Sequence, residues 1–257
     1  MALGIIISPA KKMNVVEGPP YPTGLPSHMD KTRLLFERLR QLSLDEAQQL
    51  WSCSDRLAAF NYDRLHEREL EDDLTAACLA YEGIQYQHLA ASVMSDDALT
   101  YLEQHLRILS GFYGVVRPCD GVIPYRLEMQ ARLSMPAREG RDETSDLYSF
   151  WSDKLARTLA ADFDTMVNVA SVEYAKAVVP YLPQLGARVI TCLFGFLREK
   201  DGRFTQRSTE AKAARGTFVR WCAENGITQA DDLGAFGERG YRLDEGRSTA
   251  DTLVFVK

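Results

Sequence analysis

No stretch of the chain approaches the roughly 18 consecutive apolar residues of a membrane-spanning helix. The apolar N-terminal run, Leu3 to Ile7, is short and lacks the basic flank of a secretion signal. A cytoplasmic protein is therefore expected, with no membrane partner. Basic charge is also scarce: 30 Lys and Arg stand against 36 Asp and Glu, a formal net charge of −6. That balance excludes a protein held on DNA by bulk charge, so any nucleic-acid contact has to come from a local basic surface. The five cysteines include no Cys-x-x-Cys pair, and the four histidines (His28, His66, His88, His105) never share one helical turn. An odd count without paired spacing points to free thiols in a reducing compartment. Neither a metal site nor any other cofactor is expected. Internal repeats, low-complexity tracts and linkers are missing too. With 46% hydrophobic residues in 257, the chain reads as a single domain, residues 1–257, with its own core.

What is present alternates irregularly between the two hydrophobic periods. Leu3–Ser8 reads as a buried strand, followed by a loop rich in proline and glycine (Gly18, Pro19, Pro20, Pro22, Gly24, Pro26). Helical patterns cover 29–42, 43–52, 55–65 and 73–81. Ser43 and Glu46 form a capping box at the second of these. A helix capped by Ser95 carries Leu99, Leu102, Leu106 and Leu109 on one face and stops at Gly111. Residues 124–133 alternate as a half-buried strand, with Arg126 and Glu128 on its polar face. A helix from Ser145 buries Leu147, Phe150, Trp151, Leu155 and Leu159. A strand at 164–170 then leads into a short helix capped by Ser171. A hairpin turns at Asp201-Gly202, an amphipathic helix spans Ser208–Glu224, and a last hairpin joins 241–244 to 252–256. This order predicts an α+β or mixed α/β fold, with a mixed sheet and surrounding helices.

Three segments carry residues suited to chemistry. The first runs from His105 to Pro118 and holds Arg107, Gly111, Gly114 and Arg117. Glycines in a turn allow backbone N–H groups to approach a phosphate, as in a helix-hairpin-helix; the same glycines also serve a plain helix C-cap. The second is Ser8-Pro9-Ala10-Lys11-Lys12, just past a buried strand, where α/β sheets commonly meet ligands. The third, Asn168 through Lys176, repeats that strand-to-helix step. There Glu173 and Lys176 are either site residues or a weak surface ion pair.

With those residues in view, the chain resembles the YaaA family of bacterial peroxide-stress-resistance proteins. The resemblance is collinear. It runs through Ile7-Ser8-Pro9-Ala10-Lys11, Ser54-Asp55-Arg56-Leu57-Ala58 and the block from His105 through Arg117-Pro118 to Pro124-Tyr125-Arg126-Leu127-Glu128-Met129. It continues through Asp146-Leu147-Tyr148-Ser149-Phe150-Trp151, Asn168 to Lys176, Ala211-Lys212-Ala213-Ala214-Arg215-Gly216 and Gly240-Tyr241. The chain departs from the pattern at Lys12-Met13-Asn14, where Thr-Leu-Asp is more usual. The resemblance implies a helix-hairpin-helix-like element, DNA binding, and protection from hydrogen peroxide partly by limiting free iron.

Two functions follow as expectations. In the first, DNA is held with little sequence specificity through Arg107, Gly111, Gly114, Arg117, Arg126, Lys212 and Arg215. In the second, an enzyme of glycosylase or lyase type acts on damaged DNA or a nucleotide, with Lys11, Glu128 and Lys176 as catalytic groups. A scaffold whose basic patch meets an acidic protein is a third reading; no feature identifies such a partner. A pocket that gathers the charged groups favours the enzyme, and an open basic groove leading to Gly111 and Gly114 favours DNA.

Overall fold

The run Leu3-Gly4-Ile5-Ile6-Ile7 is apolar at every position because it is buried on both faces. In the computed structural model, which describes residues 2–137 and 142–257, it is the strand β1 (Leu3–Ile7) at the heart of an eight-stranded mixed sheet. The others are β2 (Leu106–Ser110), β3 (Gly114–Val116), β4 (Thr165–Asn168), β5 (Arg188–Leu197), β6 (Phe204–Thr205), β7 (Arg242–Leu243) and β8 (Thr252–Val256). Their order is β7-β8-β5-β4-β1-β2-β3, with β6 paired to β5. β1 lies parallel to β2 on one side, Ile5 opposite Leu106, and parallel to β4 on the other, Leu3 opposite Thr165. β4, β5 and β8 continue the parallel run, while β3, β6 and β7 join antiparallel. The result is a single α/β domain around one hydrophobic core. No helix among the described residues is long and apolar enough to cross a membrane.

This order positions the site. From β1 the chain travels to β2 on one side of it, and from β4 it travels to β5 on the opposite side. The segments leaving the carboxyl ends of β1 and β4 therefore diverge, and a crevice opens between them at the usual ligand position of an open α/β sheet.

Most expected elements are present. The helix Leu44–Trp51 has its full capping box, Ser95 caps Asp96–His105, and the helix Ser208–Glu224 keeps its expected bounds. Both predicted hairpins form, as β5–β6 and β7–β8. The region 145–162 divides into Leu147–Trp151 and Lys154–Asp162, broken at Ser152 (φ 49°), although the five apolar residues assigned to its core are all buried.

Three expectations are corrected. The helical pattern at 73–81 yields only the helix Ala77–Ala80, between the short strands Thr75–Ala76 and Tyr81–Glu82. The helix from Asp96 ends at His105, and Leu106–Ser110 is a strand buried along its whole length. A fully buried strand carries no period-2 signal and imitates a helix's apolar face. Gly111 to Gly114 is consequently a turn between two strands of the core, not a helix-hairpin-helix. Phe112 and Tyr113 are completely buried. Ser110 Oγ accepts the Phe112 and Tyr113 N–H groups at 3.1 and 2.9 Å, and Trp151 Nε1 donates to the Gly111 carbonyl at 3.0 Å. Those amides are engaged internally, so the turn cannot grip a phosphate. Residues 124–133, expected as a strand, run outside any sheet ladder. They still place Arg126 and Glu128 on one face, with Arg126 Nη2 3.5 Å from Glu128 Oε1.

Gly114 has φ +80°, and a Cβ there would lie 2.9 Å from Leu155 Cδ2 and 3.0 Å from Trp151 Cη2. Gly114→Val should therefore lower the melting temperature sharply. Left-handed strain alone is worth about 1–3 kcal/mol, and each kcal/mol shifts Tm by roughly 2–4 °C in a chain of this size. Thermal unfolding that matches the unsubstituted protein would contradict the buried-turn assignment.

Candidate functional site

Ser8 is the first residue past β1, and Ser171 lies three residues past β4. The Ser8 hydroxyl accepts the Ser171 N–H at 2.8 Å and donates to Ser171 Oγ at 3.1 Å. The Ser8 carbonyl accepts Gln85 Nε2 at 2.9 Å and Tyr86 OH at 3.0 Å. One residue thus ties the two diverging loops together and fixes the segment Gly83–Leu89 to them. Ser171, expected to cap the helix Val172–Ala175, makes no side-chain cap bond; its hydroxyl turns to Ser8.

Beyond Ser8, Lys12–Met13 pairs with Tyr81–Glu82 and carries Lys11 over the crevice. Glu82 accepts Lys12 Nζ at 2.7 Å and Asn14 Nδ2 at 2.5 Å, and these hydrogen bonds hold its carboxyl below the usual range. An aspartate at position 14 would set a second carboxylate against Glu82, whereas asparagine donates to it. Across the crevice, Glu128 is nearly buried. Its Oε1 lies 3.1 Å from Lys11 Nζ and 3.5 Å from Arg126 Nη2, yet no hydrogen bond is properly directed at it. Arg126 Nε is likewise buried and unbonded. Glu173 receives the Gln130 N–H at 3.2 Å; burial raises its carboxyl above the ordinary value, with that amide and the Lys11 charge pulling the other way.

A tyrosine wall closes one side. Tyr125 OH is bonded to Ser110 Oγ at 2.6 Å and to Tyr81 OH at 2.9 Å, and Tyr86 and Tyr174 pack alongside. Burial pushes the Tyr125 phenol up to about 12, so it is neutral at physiological pH. The far wall is the helix Ser208–Glu224. It lies so close to Gln85 that a Cβ at Gly216 would fall 2.0 Å from the Gln85 carbonyl oxygen. That approach presents Lys212 and Arg215, three residues apart on one face, to the crevice. Arg215 is mostly buried, and desolvation lowers its pKa. Its Nε has no hydrogen-bond partner. Among the described residues no carboxylate pairs with it.

The resulting cleft holds about 520 Å³. Five basic side chains (Lys11, Lys12, Arg126, Lys212, Arg215) line it against three acidic ones (Glu82, Glu128, Glu173). A second recess of about 550 Å³, bordered by Arg38, Trp51 and Arg132, adjoins it across Lys11 and Glu128.

The sequence-derived candidates separate clearly. Lys11, Arg126, Glu128, Lys212 and Arg215 converge on the cleft. Lys176 does not: its Nζ sits 4.7 Å from the centre of the Tyr148 ring, away from the lining residues. Arg107 is a buried structural residue paired with Asp162 at 3.2 Å. Arg117 is exposed. It follows β3, which runs back antiparallel to β2, so it lies at the opposite end of the strands from the cleft. Gly111 and Gly114 belong to the core. Sequence reasoning named Ser8 only as part of a strand-end segment and Ser171 only as a helix cap; it missed the bond between them and did not assign the tyrosines to the site.

A family model described as "Peroxide stress protein YaaA" matches residues 3–247 of the chain. A UPF0246 protein of Pediococcus pentosaceus is 43% identical over 253 residues, covering 98% of this chain and 97% of that protein. UPF0246 proteins of Lactiplantibacillus plantarum and Desulfitobacterium hafniense are each 42% identical over 253 residues, covering 98% of this chain and 98% and 97% of their own lengths.

Replacing Ser8 tests the link between the loops. Ser8→Ala leaves the Ser171 N–H without its acceptor and should destabilise the fold by about 1–3 kcal/mol. Hydrogen exchange at the Ser171 amide should accelerate. Ser171→Ala removes only a hydroxyl that accepts from Ser8, so its effect should be smaller. Equal effects would contradict the assignment.

Proposed function

The chain belongs to the YaaA peroxide stress protein family, and from that premise we propose that it serves peroxide defence by taking a phosphate-bearing nucleotide unit of DNA into the cleft beside β1. The observation that carries this reading is Arg215. A mostly buried guanidinium without a carboxylate is unfavourable to folding, and a phosphate accepting its N–H groups offsets that penalty. Lys212 stands on the same helical face, and Lys11 and Arg126 border the same space. A volume of about 520 Å³ suits a nucleotide-sized ligand. Positive groups gathered in a chain of net charge −6 give the local field that the composition as a whole lacks. Phosphate contacts of this kind carry no base information, so little sequence preference follows. The resemblance placed DNA on a hairpin; in this reading the cleft takes it. Among the described residues no group of three or more His, Cys, Asp or Glu is placed to hold a metal ion, so iron limitation is not attached to this site.

A second reading, catalysis on damaged DNA, draws support from the Lys11–Glu128 pair. An amine 3.1 Å from a nearly buried carboxylate, at a ligand-sized cleft, suits attack on an aldehyde carbon. At an abasic deoxyribose, the Lys11 nitrogen adds to C1′, Glu128 shuttles protons, and water leaves to give a Schiff base.

Binding should be measured by fluorescence anisotropy with duplex DNA, abasic DNA and free nucleotides over a range of salt. On duplex DNA each neutralised phosphate should contribute about −0.9 to the slope of log K against log salt. Arg215→Met and Lys212→Ala should each weaken binding about tenfold, the loss of one charge-assisted contact, while Arg117→Ala should leave it unchanged. No binding at low salt, or equal affinity of all variants, would overturn the proposal. Borohydride should trap an adduct on abasic DNA that Lys11→Ala abolishes and Lys176→Ala retains; failure to trap any adduct removes the catalytic reading alone.

A further inference from the structure

Away from the cleft, a two-stranded pair sets Thr75 opposite Val122 and Ala76 opposite Gly121. The register continues as the chain enters the helix Ala77–Ala80, because Ala77 N–H donates to the Asp120 carbonyl at 3.0 Å. Next along the two segments come Cys78, in that helix, and Cys119, in the turn before Asp120. Cys78 N–H donates to the Pro118 carbonyl at 2.9 Å, which fixes the two backbones on either side of the thiols. The two thiols are near enough to interact with each other. These two backbone hydrogen bonds, to Asp120 and to Pro118, bracket Cys119 and keep the Cys78 backbone against it, the closeness a disulfide requires.

We propose that Cys119 and Cys78 are a dithiol that hydroperoxides oxidise to an intramolecular disulfide. The two sulfurs differ as an attacking and a resolving thiol do. Cys119 is half-exposed, within reach of a molecule as small as hydrogen peroxide, and Cys78 is buried behind it. Interaction with the Cys78 thiol favours the thiolate at Cys119, against burial and the carboxylates of Glu103 and Asp120, and holds its pKa below the ordinary thiol value. The same interaction, together with burial, keeps Cys78 protonated. Glu103 Oε2 accepts the Cys119 N–H at 2.9 Å and anchors the turn. No other cysteine combines these features. Cys192 and Cys222 lie near each other but are both buried.

The chemistry balances in two steps. The Cys119 thiolate attacks one peroxide oxygen, the O–O bond breaks, and the departing oxygen leaves as water once protonated; Cys119 becomes a sulfenic acid. Cys78 sulfur then attacks the Cys119 sulfur, the S–O bond breaks, and a second water leaves with the Cys78 proton. Two thiols supply the two electrons that reduce one hydrogen peroxide. Neither cysteine lines the cleft, so this site stands or falls independently of the cleft's ligand.

The test is to treat the reduced full-length chain with a small excess of hydrogen peroxide, denature and alkylate it, and map its peptides. Two of the five thiols should become unreactive, the chain should lose the mass of two hydrogens, and a dithiothreitol-reversible Cys78–Cys119 peptide should appear. Dimedone should label Cys119 in Cys78→Ser, and Cys78 should stay unmodified in Cys119→Ser. The wild-type peptide map alone decides the matter if a variant folds poorly. Five intact thiols, oxidation of Cys53 ahead of Cys119, or a disulfide joining other cysteines would overturn the proposal.

Discussion

Two parallel strands, β1 and β4, lie side by side and send their chains away in opposite directions. Everything at the site depends on that divergence being held open and in register. Ser8 does this with four hydrogen bonds: two to Ser171 across the gap, and two at its carbonyl from Gln85 and Tyr86. Through Gln85 the constraint reaches the helix Ser208–Glu224, whose Gly216 packs on the Gln85 carbonyl. Lys212 and Arg215 are therefore placed by the same short segment that fixes the end of β1. Residues distant in sequence meet because one serine links three parts of the chain.

The buried hairpin serves the same site from behind. Its turn packs on the backbone of residues 127–129, since a Cβ at Gly111 would fall 2.7 Å from the Leu127 carbonyl oxygen. Ser110 also bonds Tyr125. The stretch that carries Tyr125, Arg126 and Glu128 has no sheet ladder of its own, so its position depends on this packing. Gly111, one of the glycines that suggested a phosphate grip, instead gives the segment bearing Glu128 room to approach the core.

How much of this was legible in the sequence follows from how local each signal is. Helix Ser208–Glu224, the capping box at Ser43, the Asp201-Gly202 hairpin and the central apolar strand are written in neighbouring residues, and all were read correctly. Leu106–Ser110 was not, because a strand buried on both faces has no distinguishing period. Five of the candidate charged residues meet in space, and motif position at strand ends was the signal that found Lys11. Lys176 failed for a geometric reason: one helical turn beyond Glu173, it points to Tyr148 while Glu173 lies at the cleft. The tie that Ser8 makes and the placing of Tyr125 were not legible, because they depend on partners 15 to 163 residues away. The family resemblance covered the length of the chain, yet it did not reveal that the turn was buried.

The cleft keeps a mostly buried cation, Arg215, without a carboxylate partner among the described residues, which is a local sacrifice of stability at the proposed binding site. The most direct test is the melting temperature of the chain and of Arg215→Met, each with and without a saturating deoxynucleoside monophosphate. A ligand at 100 times its Kd raises stability by about 2.7 kcal/mol. The account predicts that the unliganded variant melts higher than the unsubstituted protein, and that nucleotide raises only the latter. A lower-melting variant that nucleotide stabilises as strongly as the unsubstituted protein would contradict it.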